Sequence, residues 1–448
     1  GISGLATAWN LLRSGDVGVD LVEASDRFGG AVGSERVDGF VFERGPNGFL
    51  ERGGEATLEL IRDLGIESEL IEASSEAVHR YVMRRGKLVA LPQSAGQFLR
   101  SGVLSLGPMG PRFERAIADY TGAPYASMVS SGTAGLHLAI RAAGVKPGDE
   151  VITSPLSFVA SANVIIYEHA TPVFADIDPV TLNVDPAKAA ERVGELTSGI
   201  LPVHLFGYSA AMNELEALAR EHDLWIVEDA CEALGAIDSD GLQVGSRGNL
   251  AVFGFYPNKQ LATGEGGMVL CATEEQKRRI DSERNQGRAP DMGWLDHQSL
   301  GYNYRLSDVS AAIGLAQSEK LDDMLARRAR VAHWYSERLR EVDGVTVPCA
   351  DDGRNKRSWF VYVLQLPAGT DRDAVIESLR RDGIASKPYM PVIHLQPYYR
   401  EQFGYVTGDF PVAEEVAERS LALPFFPSMQ EGDVERAVTA LRAALAQN

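Results

Sequence analysis

Leu224-Trp225-Ile226-Val227-Glu228-Asp229-Ala230-Cys231-Glu232-Ala233 is the stretch on which the fold turns. Four apolar residues run straight into two acids, which reads as a short buried strand ending in a carboxylate. Open α/β sheets take their ligands beyond the carboxyl ends of their strands, so Asp229 is a candidate functional acid. Taken alone, it could equally cap a following helix. Successive strand residues face opposite ways, so Glu228 is expected to be structural.

Outward from this stretch the same grammar repeats. Apolar strands recur at 150–153, 172–175 and 199–203, and helical stretches such as 130–143 and 212–222 separate them. Short buried strands alternating with helices predict an α/β fold with a mostly parallel sheet. Residues 306–339 read as helical and give way to a strand–helix–strand tail. The chain has 448 residues, 45% hydrophobic and 23% charged, a globular composition long enough for two or three domains. The expected division is 1–100, 101–325 and 326–448.

Bulk charge excludes some partners. Acids outnumber bases 62 to 43, giving a net charge of −19, and that field repels the phosphate backbone of nucleic acid. No apolar run approaches the ~20 residues that span a bilayer, and no leader pattern opens the sequence, so no membrane partner and a cytoplasmic address are expected. Cys231, Cys271 and Cys349 lie far apart without a C-x-x-C pair, so neither a disulfide framework nor a metal site is expected.

Three further motifs carry chemistry. Lys259 stands in Phe253-Gly254-Phe255-Tyr256-Pro257-Asn258-Lys259-Gln260, followed by Thr263-Gly264-Glu265-Gly266-Gly267. Most lysines on loops are solvated. Aromatic residues before this one and glycines after it would bury the amine and favour its nucleophilic form. In Ser130-Ser131-Gly132-Thr133-Ala134-Gly135 a glycine turn opens a helix, which offers free N–H groups and a positive dipole end to an anion. Ordinary helix capping explains such a turn as well. Phe158, in Ser154-Pro155-Leu156-Ser157-Phe158, would normally be core. Pyridoxal phosphate asks a protein for four things: an amine, an acid opposite its ring nitrogen, phosphate donors and a flat cover. Lys259, Asp229, Gly132 with Thr133, and Phe158 are candidates for each.

Taken in order, these phrases resemble the DegT/DnrJ/EryC1/StrS family of sugar aminotransferases over residues 101–448. Pro202-Val203-His204-Leu205-Phe206-Gly207, Gly301-Tyr302-Asn303-Tyr304-Arg305-Leu306 and Ile393-His394-Leu395-Gln396-Pro397-Tyr398 add to the match. The resemblance implies fold type I, a pyridoxal-phosphate large domain with a small α+β C-terminal domain. It implies that Lys259 holds the cofactor, Asp229 faces the ring nitrogen and Phe158 stacks on the ring. Gly132 and Thr133 would hold the phosphate, and Glu232 would stand at the cofactor's hydroxyl side. Asn303 would reach the phosphate of a neighbouring subunit's cofactor, making the unit a homodimer. The implied reaction is a two-stage aldimine/ketimine transfer of an amino group from an amino acid, glutamate or glutamine, to a ketosugar nucleotide. A cyclitol ketone is the alternative acceptor. A serine that the family often carries five residues before the lysine is Gly254 here, which shifts the phosphate grip toward backbone amides and Thr133.

The first hundred residues read differently. Gly1-Ile2-Ser3-Gly4, Glu23-Ala24-Ser25-Asp26-Arg27-Phe28-Gly29-Gly30 and Phe42-Glu43-Arg44-Gly45-Pro46-Asn47-Gly48 resemble the start of flavin amine oxidases, protoporphyrinogen oxidase among them. Gly1 and Gly4 would be the second and third glycines of G-x-G-x-x-G, with the first strand and first glycine missing. The expectation is an incomplete Rossmann-like fragment that binds no flavin, with a junction near 96–106. A flavin oxidase is the rival function.

Overall fold

Leu250–Gly254 shows why the strands of the large sheet are mostly apolar. Leu250 and Val252 are buried in one cluster, with Leu136 and Ile140, while Ala251 and Phe253 are buried in another, with Phe113 and Leu321. A strand covered on both faces can carry no polar alternation, and so it reads as a continuous apolar run. The computed structural model describes residues 33–37, 40–44, 81–84, 87–90, 104–289, 296–351 and 353–447. By contacts the chain divides into two units, Gly1–Ala90 and Leu91–Asn448.

In the first unit the described backbone forms two antiparallel hairpins, β1 (Gly33–Val37) with β2 (Phe40–Arg44) and β3 (Tyr81–Arg84) with β4 (Lys87–Ala90). The glycine motif at 1–4, Glu23 and the turn at 29–30 lie outside the described residues.

The second unit opens with α1 (Met109–Thr121). Its seven-stranded sheet is built from β5 (Tyr125–Val129), β6 (Glu150–Thr153), β7 (Thr171–Phe174), β8 (Thr197–Leu201), β9 (Trp225–Asp229), β10 (Leu250–Gly254) and β11 (Gly267–Cys271). Their spatial order is β5-β11-β10-β9-β8-β6-β7. Pairings from β10 through β9, β8 and β6 to β7 are all parallel, and only β11 runs against its neighbours. Between the strands come α2 (Gly132–Ala143), α3 (Ala160–Tyr167), α4 (Pro186–Ala190) and α5 (Met212–Glu221). Helix α6 (Glu274–Glu283) follows β11. Helix α2 starts two residues later than the sequence suggests. Ser131 caps it by accepting the Ala134 N–H at 3.1 Å, which leaves Gly132 as the first helical residue.

The long helical stretch is two helices, α7 (Asp308–Ser318) and α8 (Leu321–Leu339). Lys320 leaves helical geometry at φ −113°, a break that neither glycine nor proline announces. Helix α8 runs through the expected 325/326 boundary without interruption. Beyond it, β12 (Tyr362–Gln365), α9 (Arg372–Arg381) and β13 (Lys387–Pro388) are followed by α10 (Pro397–Phe403) and α11 (Pro411–Arg419). Strand β14 (Ser420–Leu423) and α12 (Glu431–Leu445) complete the tail. The three strands form an antiparallel sheet in the order β12-β14-β13. Its core joins Tyr335, Tyr362, Leu379, Leu421 and Leu441.

Close packing fixes the approach of α2 to the sheet. A Cβ on Gly135 would come within 2.6 Å of Val252 Cγ1 and 3.3 Å of Val269 Cγ2. Helix propensity alone favours alanine there by about 1 kcal/mol, whereas overpacking a core costs about 1–3 kcal/mol. Gly135→Ala is expected to lower the urea midpoint of unfolding, and a raised midpoint would refute the packing argument.

Candidate active site

At the carboxyl end of β9, Asp229 is 95% buried, being 5% exposed, yet it borders a cavity of about 460 Å³. Its Oδ2 accepts a hydrogen bond from Ser161 Oγ at 2.6 Å, and its Oδ1 accepts the Cys231 N–H at 3.1 Å. Residues 231–236 form turns, so no helix follows for Asp229 to cap. Ser161 is held in turn by Ser157, oxygen to oxygen at 2.9 Å. Neither serine was singled out from the sequence. The available signal was their placement one residue before and three after Phe158, at the start of α3.

Glu228 faces away from the cavity, into the protein. It is 1% exposed, with His204 Nε2 at 3.0 Å and Asn249 Nδ2 donating at 3.0 Å. Since His204 Nδ1 accepts the Ala210 N–H, its Nε2 is left to donate to Glu228. Burial pushes the Glu228 carboxyl up, but the hydrogen bonds and charge facing it win and hold it below the usual carboxylate range.

Lys259 sits on the loop between β10 and β11, and its Nζ enters the same cavity. The amine is 3.3 Å from Glu232 Oε1 and 4.0 Å from the centre of the Phe360 ring. Aromatic surroundings were expected; a carboxylate partner for the amine was not. The other oxygen of Glu232 accepts the N–H of Phe206 at 3.0 Å. Phe206 has φ +53°, a conformation that L side chains rarely adopt, and Gly207 follows it at φ +82°. The Glu232 contact therefore supports a strained turn while its other oxygen faces the amine.

The start of α2 closes one end of the cavity. The N–H groups of Gly132 and Thr133 make no hydrogen bond among the described residues, as the first turn of a helix leaves them. Three backbones converge there. A Cβ on Gly132 would lie 2.8 Å from Cys231 Sγ, and one on Gly267 would lie 2.7 Å from the Ser131 carbonyl oxygen. A Cβ on Gly254 would lie 3.4 Å from the Cys231 Cβ. Phe158 lies at the cavity wall and is 62% exposed. It also borders a second cavity of about 920 Å³, where Ser157, Tyr389 and Met390 are shared walls.

Gly132, Thr133, Phe158, Asp229, Glu232 and Lys259 thus meet around one space, and Asn303 is not among its walls. Asn303 is exposed and paired in a bridge with Asn285. The flanking Tyr302 and Tyr304 stack on each other at 4.9 Å beside His137.

The depressed Glu228 carboxyl makes a statement about acid stability. Its contribution is fully present above the unfolded value of about 4.3 and is lost as pH falls through the lower folded value. Unfolding free energy followed from pH 6 to 3 should drop less steeply in Glu228→Gln than in the parent protein. Equal slopes would remove Glu228 from the account.

Comparison with known proteins fits this geometry. The DegT/DnrJ/EryC1/StrS aminotransferase family profile matches residues 91–442. A flavin containing amine oxidoreductase profile matches residues 2–137, overlapping it at 91–137. The spore coat polysaccharide biosynthesis protein SpsC of Bacillus subtilis is 41% identical over 364 residues, 78% of this chain and 93% of that protein. The UDP-N-acetyl-3-dehydro-α-D-glucosamine 3-aminotransferase of Acidithiobacillus ferrooxidans is 37% identical over 354 residues, 78% of this chain and 92% of its own length. The crystal structure of DesV from S. venezuelae, solved in complex with a ketimine intermediate, superposes with a TM-score of 0.74 at 32% identity, covering 78% of this chain and 92% of that one. With an acid at a strand end, an amine and a helix start around one cavity, the chain belongs to the DegT/DnrJ/EryC1/StrS aminotransferase family.

Proposed function

We propose that the chain transfers an amino group from an amino acid, glutamate or glutamine, to the ketone of a sugar nucleotide, using pyridoxal phosphate held on Lys259. The observation that carries this reading is the single cavity shared by the Lys259 amine, the Asp229 carboxylate and the two free N–H groups that open α2. The residues present suit that cofactor. Glycines at 132, 254 and 267 keep side chains out of the phosphate end, where a Cβ on Gly132 would meet Cys231 Sγ at 2.8 Å. Backbone N–H groups at a helix start, with its positive dipole end, suit a phosphate dianion.

When bound, pyridoxal phosphate supplies a protonated ring that withdraws electrons from the substrate carbon. Asp229, fixed by Ser161 and the Cys231 N–H, would hold the proton on the ring nitrogen. Lys259, whose amine enters this cavity, would hold the cofactor there. Its amine would also serve as the base, and then the acid, that moves the proton at the donor's α-carbon. Glu232 accepts a hydrogen bond from that amine and limits where it can swing. Phe158, at the cavity wall, would cover one face of the ring and help exclude water. The adjoining cavity of about 920 Å³, with Tyr389, Tyr398 and the exposed Lys387 at its walls, has room and charge for a nucleotide-linked acceptor. The name of the Acidithiobacillus relative, a UDP-linked 3-dehydro sugar aminotransferase, supports that acceptor class. Asn303, outside the cavity, would complete the site of a second copy in a homodimer.

Lys259→Ala should abolish amino transfer and remove the adduct that borohydride traps on the protein. Retention of that adduct would assign the cofactor to another lysine. Asp229→Asn should bind cofactor yet lose turnover equivalent to ~3–4 kcal/mol of barrier, the usual cost of removing a fixed electrostatic partner of developing charge. Turnover within a few-fold of the parent would make Asp229 structural. A panel of ketosugar nucleotides and free cyclitol ketones, assayed with glutamate and glutamine, identifies donor and acceptor. Activity on cyclitols alone would overturn the sugar-nucleotide reading.

A further inference from the structure

Arg328 lies on α8 with 6% of its surface exposed, and among the described residues no carboxylate pairs with it. A buried guanidinium without a counter-charge is costly to keep. Burial pulls it down to about 10, so it remains charged at neutral pH. Instead of an acid it faces carbonyls. One terminal nitrogen donates to the Phe360 carbonyl at 3.0 Å and to that of Trp359 at 3.4 Å, and the other donates to the Lys259 carbonyl at 3.2 Å. Its Nε is buried without a partner among the described residues, and the Phe425 ring lies 5.6 Å from the guanidinium carbon.

The two peptides it joins are the ones whose spacing sets the amine. Lys259 Nζ stands 4.0 Å from the centre of the Phe360 ring, although the two residues are far apart in sequence. Trp359 is held at φ +26°, a strained backbone that persists only where its surroundings enforce it. The Lys259 loop has no strand or helix of its own. Besides Arg328, it is tied to the 358–360 segment by Gln260, whose Nε2 donates to Ser358 Oγ at 2.9 Å.

We propose that Arg328 is a positioning residue for the amino-transfer chemistry: its planar fork locks the Lys259 peptide to the Phe360 peptide, so that the amine is presented over the ring. This inference rests on Lys259 being the cofactor-holding amine. A guanidinium suits the task because its donors diverge at fixed angles, whereas an ammonium is a point charge that cannot span both peptides.

The test uses the full chain stripped of cofactor and reloaded with pyridoxal phosphate, following the growth of the visible absorbance band. The variants are Arg328→Lys, Phe360→Leu and the double mutant, each checked for folding by its unfolding midpoint. Arg328→Lys should slow band growth on the order of tenfold, as expected for a misplaced reacting group. Phe360→Leu should slow it as well, and the double mutant should be no slower than Arg328→Lys alone, because both act through one contact. A folded Arg328→Lys at the parental rate, or strictly multiplicative effects in the double mutant, would overturn the proposal. If Arg328→Lys does not fold, Phe360→Leu decides, and a parental rate there overturns it. Borohydride trapping and peptide mapping of the parent separate the two levels. An adduct on another lysine defeats the proposed function, while an adduct on Lys259 with multiplicative effects defeats only the role of Arg328.

Discussion

The large sheet must bury both of its faces, and that requirement organises everything else in the second unit. Its strands can carry almost nothing but apolar side chains, as Leu250, Ala251, Val252 and Phe253 do, alternating between two separate cores. Polar chemistry is thereby driven to the ends of the strands, where the chain leaves the sheet. Asp229 is the last residue of β9, Gly254 the last of β10 and Gly267 the first of the antiparallel β11. Because β11 runs the other way, its beginning meets the ends of its neighbours, and the two glycines come to the start of α2 from both sides.

Buried polar groups at this edge are satisfied in chains rather than in isolated pairs. Ser157 supports Ser161, which supports Asp229, while Glu232 divides its two oxygens between the Phe206 N–H and the Lys259 amine. Low dielectric strengthens each such bond and penalises each missing one, so these chains fix positions more firmly than any one contact. Behind the edge, Glu228, His204 and Asn249 form a second linked set that orients the strand end and does not line the cavity.

How much of this was legible beforehand depended on how local the signal was. The strand ending at Asp229, the glycine opening of α2 and the loop of Lys259 are each written in a few consecutive residues, and the family resemblance tied them together. The split between α7 and α8 was not legible, because Glu319 and Lys320 are ordinary helix formers and tertiary packing overrides their preference. Ser161 was invisible because its partner is 68 positions away, and Arg328 because the carbonyls it holds are 69 and 32 positions away. An arginine in an amphipathic helix looks like solvent-facing charge until the fold buries it. The carboxylate partner of Lys259 was hidden for the same reason, since Glu232 was assigned by resemblance to the cofactor alone.

Helix α8 is anchored at both ends in different cores, with Leu321 among the residues packed beneath the large sheet and Leu339 among those packed on the small one. That makes it a lever. Its 19 residues span about 28 Å, so a tilt of only about 5° at the Leu321 end displaces the far end by about 2.4 Å. Arg328, near the pivot, would move by less than half as much. Any angular displacement at the Leu339 end would therefore be geared down before it reached the Lys259 carbonyl, to which Arg328 donates.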